Sequence, residues 1–295
     1  MGDTKFICYA QLPRSVVRYS AVFVMLMLAV GFVAGVGIDA LLFAKTLTST
    51  ITMYSTVILT ERIRIVVLVD NNPYRQDLEK AWGLSVYVEA DEVRLLFDTG
   101  PDPMVLEANA RRLGIDLSKI DFVVISHAHG DHTGGLRLLA SIKPGMVVYV
   151  PPDRSLINYV RGLGLEPIQV NNTIEVSRGI YVVKPLYGPP IEEALAIKTG
   201  RGLVILVGCS HPGVVNIVGQ AVKDSGIKPY IVLGGFHIGG ASLQKVRKVA
   251  SQLVEMGVEK IYPLHCSGDN VRSYLANHYK DNYGGRGVGL EIIIN

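Results

Sequence analysis

The chain has 295 residues, 49% of them hydrophobic and 19% charged, with a formal net charge of +3. That length holds one large domain or two small ones, with ample apolar material for a core. A near-balanced charge with no long Lys/Arg run excludes a nucleic-acid footprint, and three scattered cysteines (Cys8, Cys209, Cys266) exclude a disulfide framework.

From Tyr19 to Ile38 no charged residue occurs over 20 positions. At about 1.5 Å per residue, a helix of this length spans the roughly 30 Å hydrocarbon core of a bilayer. The run is read as an uncleaved single-pass membrane anchor, residues 19–38 within an N-terminal segment 1–45. A cleaved signal peptide competes with it, since Ala34 and Gly35 place small residues near the end of the run. Arg14 and Arg18 precede the run and Asp39 follows it, so the positive-inside rule puts the N-terminus inside and the remainder outside. Residues 46–60 are rich in Ser and Thr and uncharged, which predicts a linker or β-prone stalk. The catalytic domain is predicted over 61–295.

Within that domain the apolar runs IRIVVLVD, LSVYVEA and VRLLFDTG predict three strands, and a helix follows from Met104 to Leu113. DFVVIS is a short run of buried-strand type. MVVYV, GIYVVKPL, the Gly-turned hairpin LAIKT–GRG–LVILV, PYIVLGG and KIYPL come next. Helical stretches are expected at 216–225, 242–256 and 269–280. Strands alternating with helices, plus several hairpins, predict an α/β fold of mixed sheets flanked by helices.

The segment VVISHAHGDHTGGL places His127, His129, Asp131 and His132 directly after a strand. Side chains two apart in extended backbone point the same way, so His127 and His129 can converge on one ion. Gly130 lets the loop turn back, so Asp131 and His132 can serve a second. Imidazole and carboxylate donors favour zinc, with manganese, iron or magnesium as alternatives. Surface histidines with Asp131 capping a helix would leave four ligand-type residues between glycines without a purpose. His211, His237 and His265 share one pattern: a strand, a small residue or proline, the histidine, then a glycine nearby. His211 and His265 are read as further metal ligands, and His237 as a ligand or substrate contact. His278, mid-helix among polar residues, is read as surface. Cys209 and Cys266 are expected as free thiols beside the metals, a bridge between them being the alternative.

The His-x-His-x-Asp-His run resembles the hallmark of the metallo-β-lactamase superfamily, with every position met. The resemblance covers 61–295 and implies an αββα sandwich with two divalent metal ions at one edge. FDTG (97–100) matches the superfamily's first motif, which implies that Asp98 supports the metal loop. GCSHPG, GGFH and HCSG, with Leu68–Asn71 and Phe97–Pro101, look like the branch that contains a dihydropterin–ribofuranosylaminobenzene-phosphate synthase of methanopterin biosynthesis. One departure stands out. Where most of the superfamily bridges its metals with an Asp, this strand ends in Gly208-Cys209, so Cys209 or His211 takes that place.

The resemblance implies a metal-dependent enzyme acting on a small molecule that is phosphorylated or pterin-like. Asp131 and His237 are the candidates for proton handling, and Asp98 completes the candidate catalytic set. Phe236, Tyr187 or Tyr74 could wall a flat slot for a pterin. Metal-assisted displacement of pyrophosphate is the first expected activity, and it requires a domain facing the cytoplasm. A dinuclear hydrolase of phosphoesters, esters or lactones is the second, and a non-catalytic membrane-anchored binding protein the third.

Overall fold

In a computed structural model, residues 62–295 are described. The expected anchor at 19–38 and linker at 46–60 lie outside them. Among the described residues no helix is long and apolar enough to cross a membrane.

Strands β1 (Ile63–Val69), β2 (Ser85–Ala90), β3 (Val93–Phe97), β4 (Phe122–Val124), β5 (Val147–Val150), β6 (Glu166–Gln169) and β13 (Glu291–Ile294) form one sheet, in the order β13-β1-β2-β3-β4-β5-β6. Strands β7 (Ile174–Ser177), β8 (Ile180–Leu186), β9 (Glu192–Thr199), β10 (Gly202–Val207), β11 (Pro229–Gly235) and β12 (Lys260–Leu264) form the other, in the order β12-β11-β10-β9-β8-β7.

Successive strand side chains point to opposite faces, and the buried residues sort accordingly. Ile63, Ile65 and Val67 of β1 meet Val204 and Leu206 of β10 between the sheets, together with Phe97, Leu195 and Leu233. Val66 and Leu68 point the other way, into a second core with Leu106, Leu136 and Val160. These come from the helices Pro103–Arg112, Leu136–Ile142 and Arg154–Gly162. Leu203, Ile205 and Val207 likewise face Ile217, Val249 and Val271 on helices Val214–Ser225, Leu243–Glu255 and Asp269–His278. Both sheets are covered on both faces, which is why the central strands read as unbroken apolar runs. The result is an αββα sandwich.

The elements predicted from apolar runs are all present, with boundaries shifted by up to three residues. Strands β6, β7 and β13 were not marked by the sequence, and each lies at the edge of its sheet. β6 (EPIQ) and β7 (IEVS) have no fully buried residue, so neither needed an apolar pattern.

The topology brings one set of strand ends together. β3 and β4 are parallel, as are β10, β11 and β12, and β9 runs antiparallel to β10. The C-terminal ends of β4, β10, β11 and β12 and the start of β9 therefore share an edge. The backbone bond from Glu193 N to Ser126 O, 2.9 Å, ties the two sheets there. Just beyond β4 the chain turns through the short helix Gly130–Thr133 and packs against the loop after β3. A Cβ on Gly134 would lie 1.9 Å from the backbone oxygen of Pro101, which cannot swing aside. Gly134→Ala is expected to cost about 1–3 kcal/mol through overpacking, read as a lower midpoint of denaturant unfolding. An unchanged midpoint would mean that the two loops are free to part.

Candidate metal centre

Asp98 sits fully buried at the end of β3, in the left-handed region at φ 57°. Its Oδ1 accepts from the Ser126 amide at 2.8 Å and its Oδ2 from the Ser126 hydroxyl at 2.8 Å. Oδ2 also meets His132 Nδ1 at 2.6 Å. Burial pushes the Asp98 carboxyl up, and the His132 charge and these hydrogen bonds pull against it. For His132, burial works against the charged ring but Asp98 outweighs it, so that histidine is raised.

This carboxylate dictates which nitrogen of each neighbouring ring is free. The Ser126 hydroxyl gives its single proton to Asp98, so it can only accept from His127 Nδ1, 2.9 Å away. The lone pair of His127 is therefore on Nε2, which faces His129 Nδ1 at 3.1 Å. His132 gives Nδ1–H to Asp98, leaving Nε2 toward Cys209 Sγ at 3.3 Å. Burial and the surrounding imidazoles hold His127 well below the usual histidine range, so the ring stays neutral.

The second sheet uses the same device. Glu192 opens β9 and is 1% exposed. It accepts from the backbone N–H groups of Ser210 and His211 and meets His211 Nδ1 at 2.9 Å, leaving Nε2 free. His265 Nδ1 lies 3.0 Å from Asn71 Oδ1, and its backbone N–H donates to Asp70 at 2.7 Å. The Arg272 guanidinium, buried, donates to the carbonyls of Pro263 and His265 and pins the end of β12. His265 Nε2 is buried without a hydrogen bond, with Asp131 Oδ2 3.2 Å away.

Two groups of donor atoms result. His127, His129 and His211 form one, and Asp131, His132 and His265 the other, with the atoms of each within 4.8 Å of one another. Cys209 reaches both, grouping with His127 and His132, with His265 and Cys266, and with His211 and His237. The directed Nε2 lone pair of His127 and the orphaned Nε2 of His265 are what a cation would satisfy; the donor set therefore fits divalent metal. Cys209 and Cys266 are both free thiols. The hydrogen bond between them pushes Cys266 down to about 5, against burial, and raises Cys209.

Every sequence-predicted site residue lies at this edge. His237 is exposed at the mouth, its ring 4.5 Å from that of His211. Asp98 is enclosed and holds rings rather than reaching open space, so its place in the catalytic set becomes one of support. His278 stacks on Tyr274 along its helix, away from the centre. Of the proposed slot walls, Phe236 is buried beside the centre while Tyr74 and Tyr187 are exposed side chains. Sequence reasoning missed Glu192, Asn71 and Trp82. Glu192 carried a signal: two acidic residues open a strand buried at nearly every position, where a carboxylate needs a partner. Trp82, 61% exposed, lies 4.9 Å from the His265 ring and carried no signal.

Comparison with known proteins places these features. The family model described as the metallo-beta-lactamase superfamily matches residues 83–225. A 7,8-dihydropterin-6-methyl-4-(beta-D-ribofuranosyl)-aminobenzene-5'-phosphate synthase from Methanocaldococcus jannaschii is 27% identical over 275 residues, covering 76% of this chain and 94% of that one. The crystal structure of Tm1679, described as a metal-dependent hydrolase of the beta-lactamase superfamily, superposes with a TM-score of 0.66 at 26% identity, over 78% of this chain and 98% of that one. The metallo-beta-lactamase fold protein YhfI from Bacillus subtilis, at 13% identity and a TM-score of 0.59, covers 79% of this chain and all of its own, and shares the fold. By motif, by sequence and by architecture, the chain has the metallo-β-lactamase fold and is related to that superfamily.

Proposed function

We propose that the protein is a metal-dependent enzyme that displaces pyrophosphate from a pterin-like diphosphate, joining the pterin to an aminobenzene partner. The observation that carries this reading is Cys209, whose thiol groups with His127 and His132 and also with His211 and His237, at the strand end where the resemblance implies a bridging Asp in most of the superfamily. The named synthase relative supports it. His127, His129 and His211 would hold one divalent cation and Asp131, His132 and His265 a second, with zinc favoured by imidazole and thiol donors. Bound there, such cations would supply the positive charge against which a diphosphate departs.

The chain's own groups divide the remaining work. Burial raises Asp131, but the His265 contact and the charges of His132 and His265 bring it down to about 2. At neutral pH it is an anionic donor and cannot act as an acid. His237, exposed beside His211, is placed to take the proton that the attacking aminobenzene releases. Asp98, Glu192 and Asn71 keep the ligand rings in one tautomer and one orientation. Trp82 offers an exposed ring face at the His265 end, suited to a flat heterocycle. This activity places the domain on the cytoplasmic side of any membrane spanned by residues 19–38.

Hydrolysis of a phosphoester, ester or lactone is the second reading. It is favoured by the complete His-x-His-x-Asp-His set and by the likeness to Tm1679. A purely binding role leaves the directed lone pairs unexplained.

Protein purified without added ions should contain divalent metal, and His127→Ala and His265→Ala should each lower the metal per chain. Full metal content in either variant would refute the ligand assignment. Glu192→Gln keeps the side-chain volume but weakens the hold on His211, so metal affinity should fall about 10- to 100-fold; chelator competition measures it. Incubation with a pterin diphosphate and an aminobenzene riboside phosphate should release pyrophosphate only when both are present. Release without the aminobenzene would select the hydrolase.

A further inference from the structure

His211 and His237 form one rim of a cavity of about 380 Å³. Its near wall is the segment Ser210–Asn216, with the buried ring of Phe236 beside it. The far wall is helix Leu243–Glu255, which turns Lys245, Lys248 and Gln252 toward the cavity. Their spacing of three and four residues puts them on one helical face. Not one carboxylate lines this space.

Lys245 and Lys248 are exposed side chains on the same face of that helix. Arg64, Arg75, Arg94, Arg112 and Arg201 each have an acidic partner within 3.0 Å. Among the described residues, neither the Lys245 nor the Lys248 ammonium has an ion pair or hydrogen bond. Two neighbouring cations over a cavity without an anion repel one another, and an oxyanion between them removes that cost. Helix Val214–Ser225 also begins in the near wall, at Gly213, with no side chain capping that end, which adds positive potential to the same space.

We propose that this cavity is the phosphate subsite of the enzyme, with Lys245 and Lys248 gripping a phosphate or diphosphate group while the reacting centre lies at His211 and His237. The assignment rests on the metal-dependent reading above and deepens it by naming the recognised chemistry. A diphosphate seated there would leave toward the lysines. Trp82, against His265 at the other end of the row of rings, would face the uncharged part of the substrate.

Calorimetric titration of the metal-loaded full chain with inorganic pyrophosphate tests this. Lys245→Gln and Lys248→Gln should each weaken binding about tenfold, and the double variant further. Lys223→Gln, on an exposed position outside the cavity, should leave it unchanged. Metal content and melting temperature are measured on the same samples and should not move. Pyrophosphate binding by the double variant within about twofold of the parent would overturn the proposal, as would equal binding of succinate by the parent or no pyrophosphate binding at all. Loss of metal from the parent protein would instead count against the metal reading and leave the lysine dependence to be read separately.

Discussion

A single enclosed carboxylate organises the centre. Asp98 is shut away from water at the end of β3, and such a group is tolerable only when its oxygens are fully hydrogen-bonded. Ser126 and His132 meet that demand, and in doing so they acquire one allowed proton arrangement. The consequence passes through the Ser126 hydroxyl to His127, so a choice made at Asp98 directs the free nitrogens of both His127 and His132. Glu192 does the same for His211 from the other sheet, and Asn71 for His265. The rings are thus aimed by groups deeper in the protein, with no adjustment left to solvent.

Such aiming costs backbone energy. Asp98, Ser210, His237 and His265 all have positive φ, a conformation that costs non-glycine residues on the order of 1–3 kcal/mol. All four occupy strand ends at the same edge. They persist because the strands behind them are clamped between two layers of core and because the His265 backbone donates to Asp70 and accepts from Arg272, which holds the turn there. Glycine supplies clearance where two such turns meet: a Cβ on Gly208 would lie 2.1 Å from the Ser126 hydroxyl. Strain at the rim and rigidity in the sandwich are two sides of one arrangement.

The centre's charge is set by what stands between the two donor groups. A thiol there makes the donor set softer than a bridging carboxylate would. Glu193, fully buried beside it, has neither oxygen hydrogen-bonded, and burial followed by the Asp98 charge pushes its carboxyl well above the usual range. Around this core the surroundings are asymmetric: an aromatic face lies at the His265 end, and a carboxylate-free cavity with two lysines at the His237 end. On the proposed function, a flat ring would lie at the first end and a phosphorylated tail at the second.

Much of this was legible in the residue order because the relevant signals are local. Runs such as LVILV and PYIVLGG betray strands covered on both faces, and four ligand-type residues in one short loop betray a metal site. Edge strands β6 and β7 escaped notice because segments with no buried residue need no apolar pattern, and β13 because its EIII run is only four residues long. Glu192, Asn71 and Trp82 escaped because their roles exist only across sequence separation: Asn71 and His265 are 194 positions apart, Glu192 and His211 are 19. The chain alone determined which residue types were available for the chemistry and where each strand would end. Only the packing of the two sheets decided which ends share an edge, because convergence is set by strand order and direction, and those depend on pairings that a linear pattern does not encode.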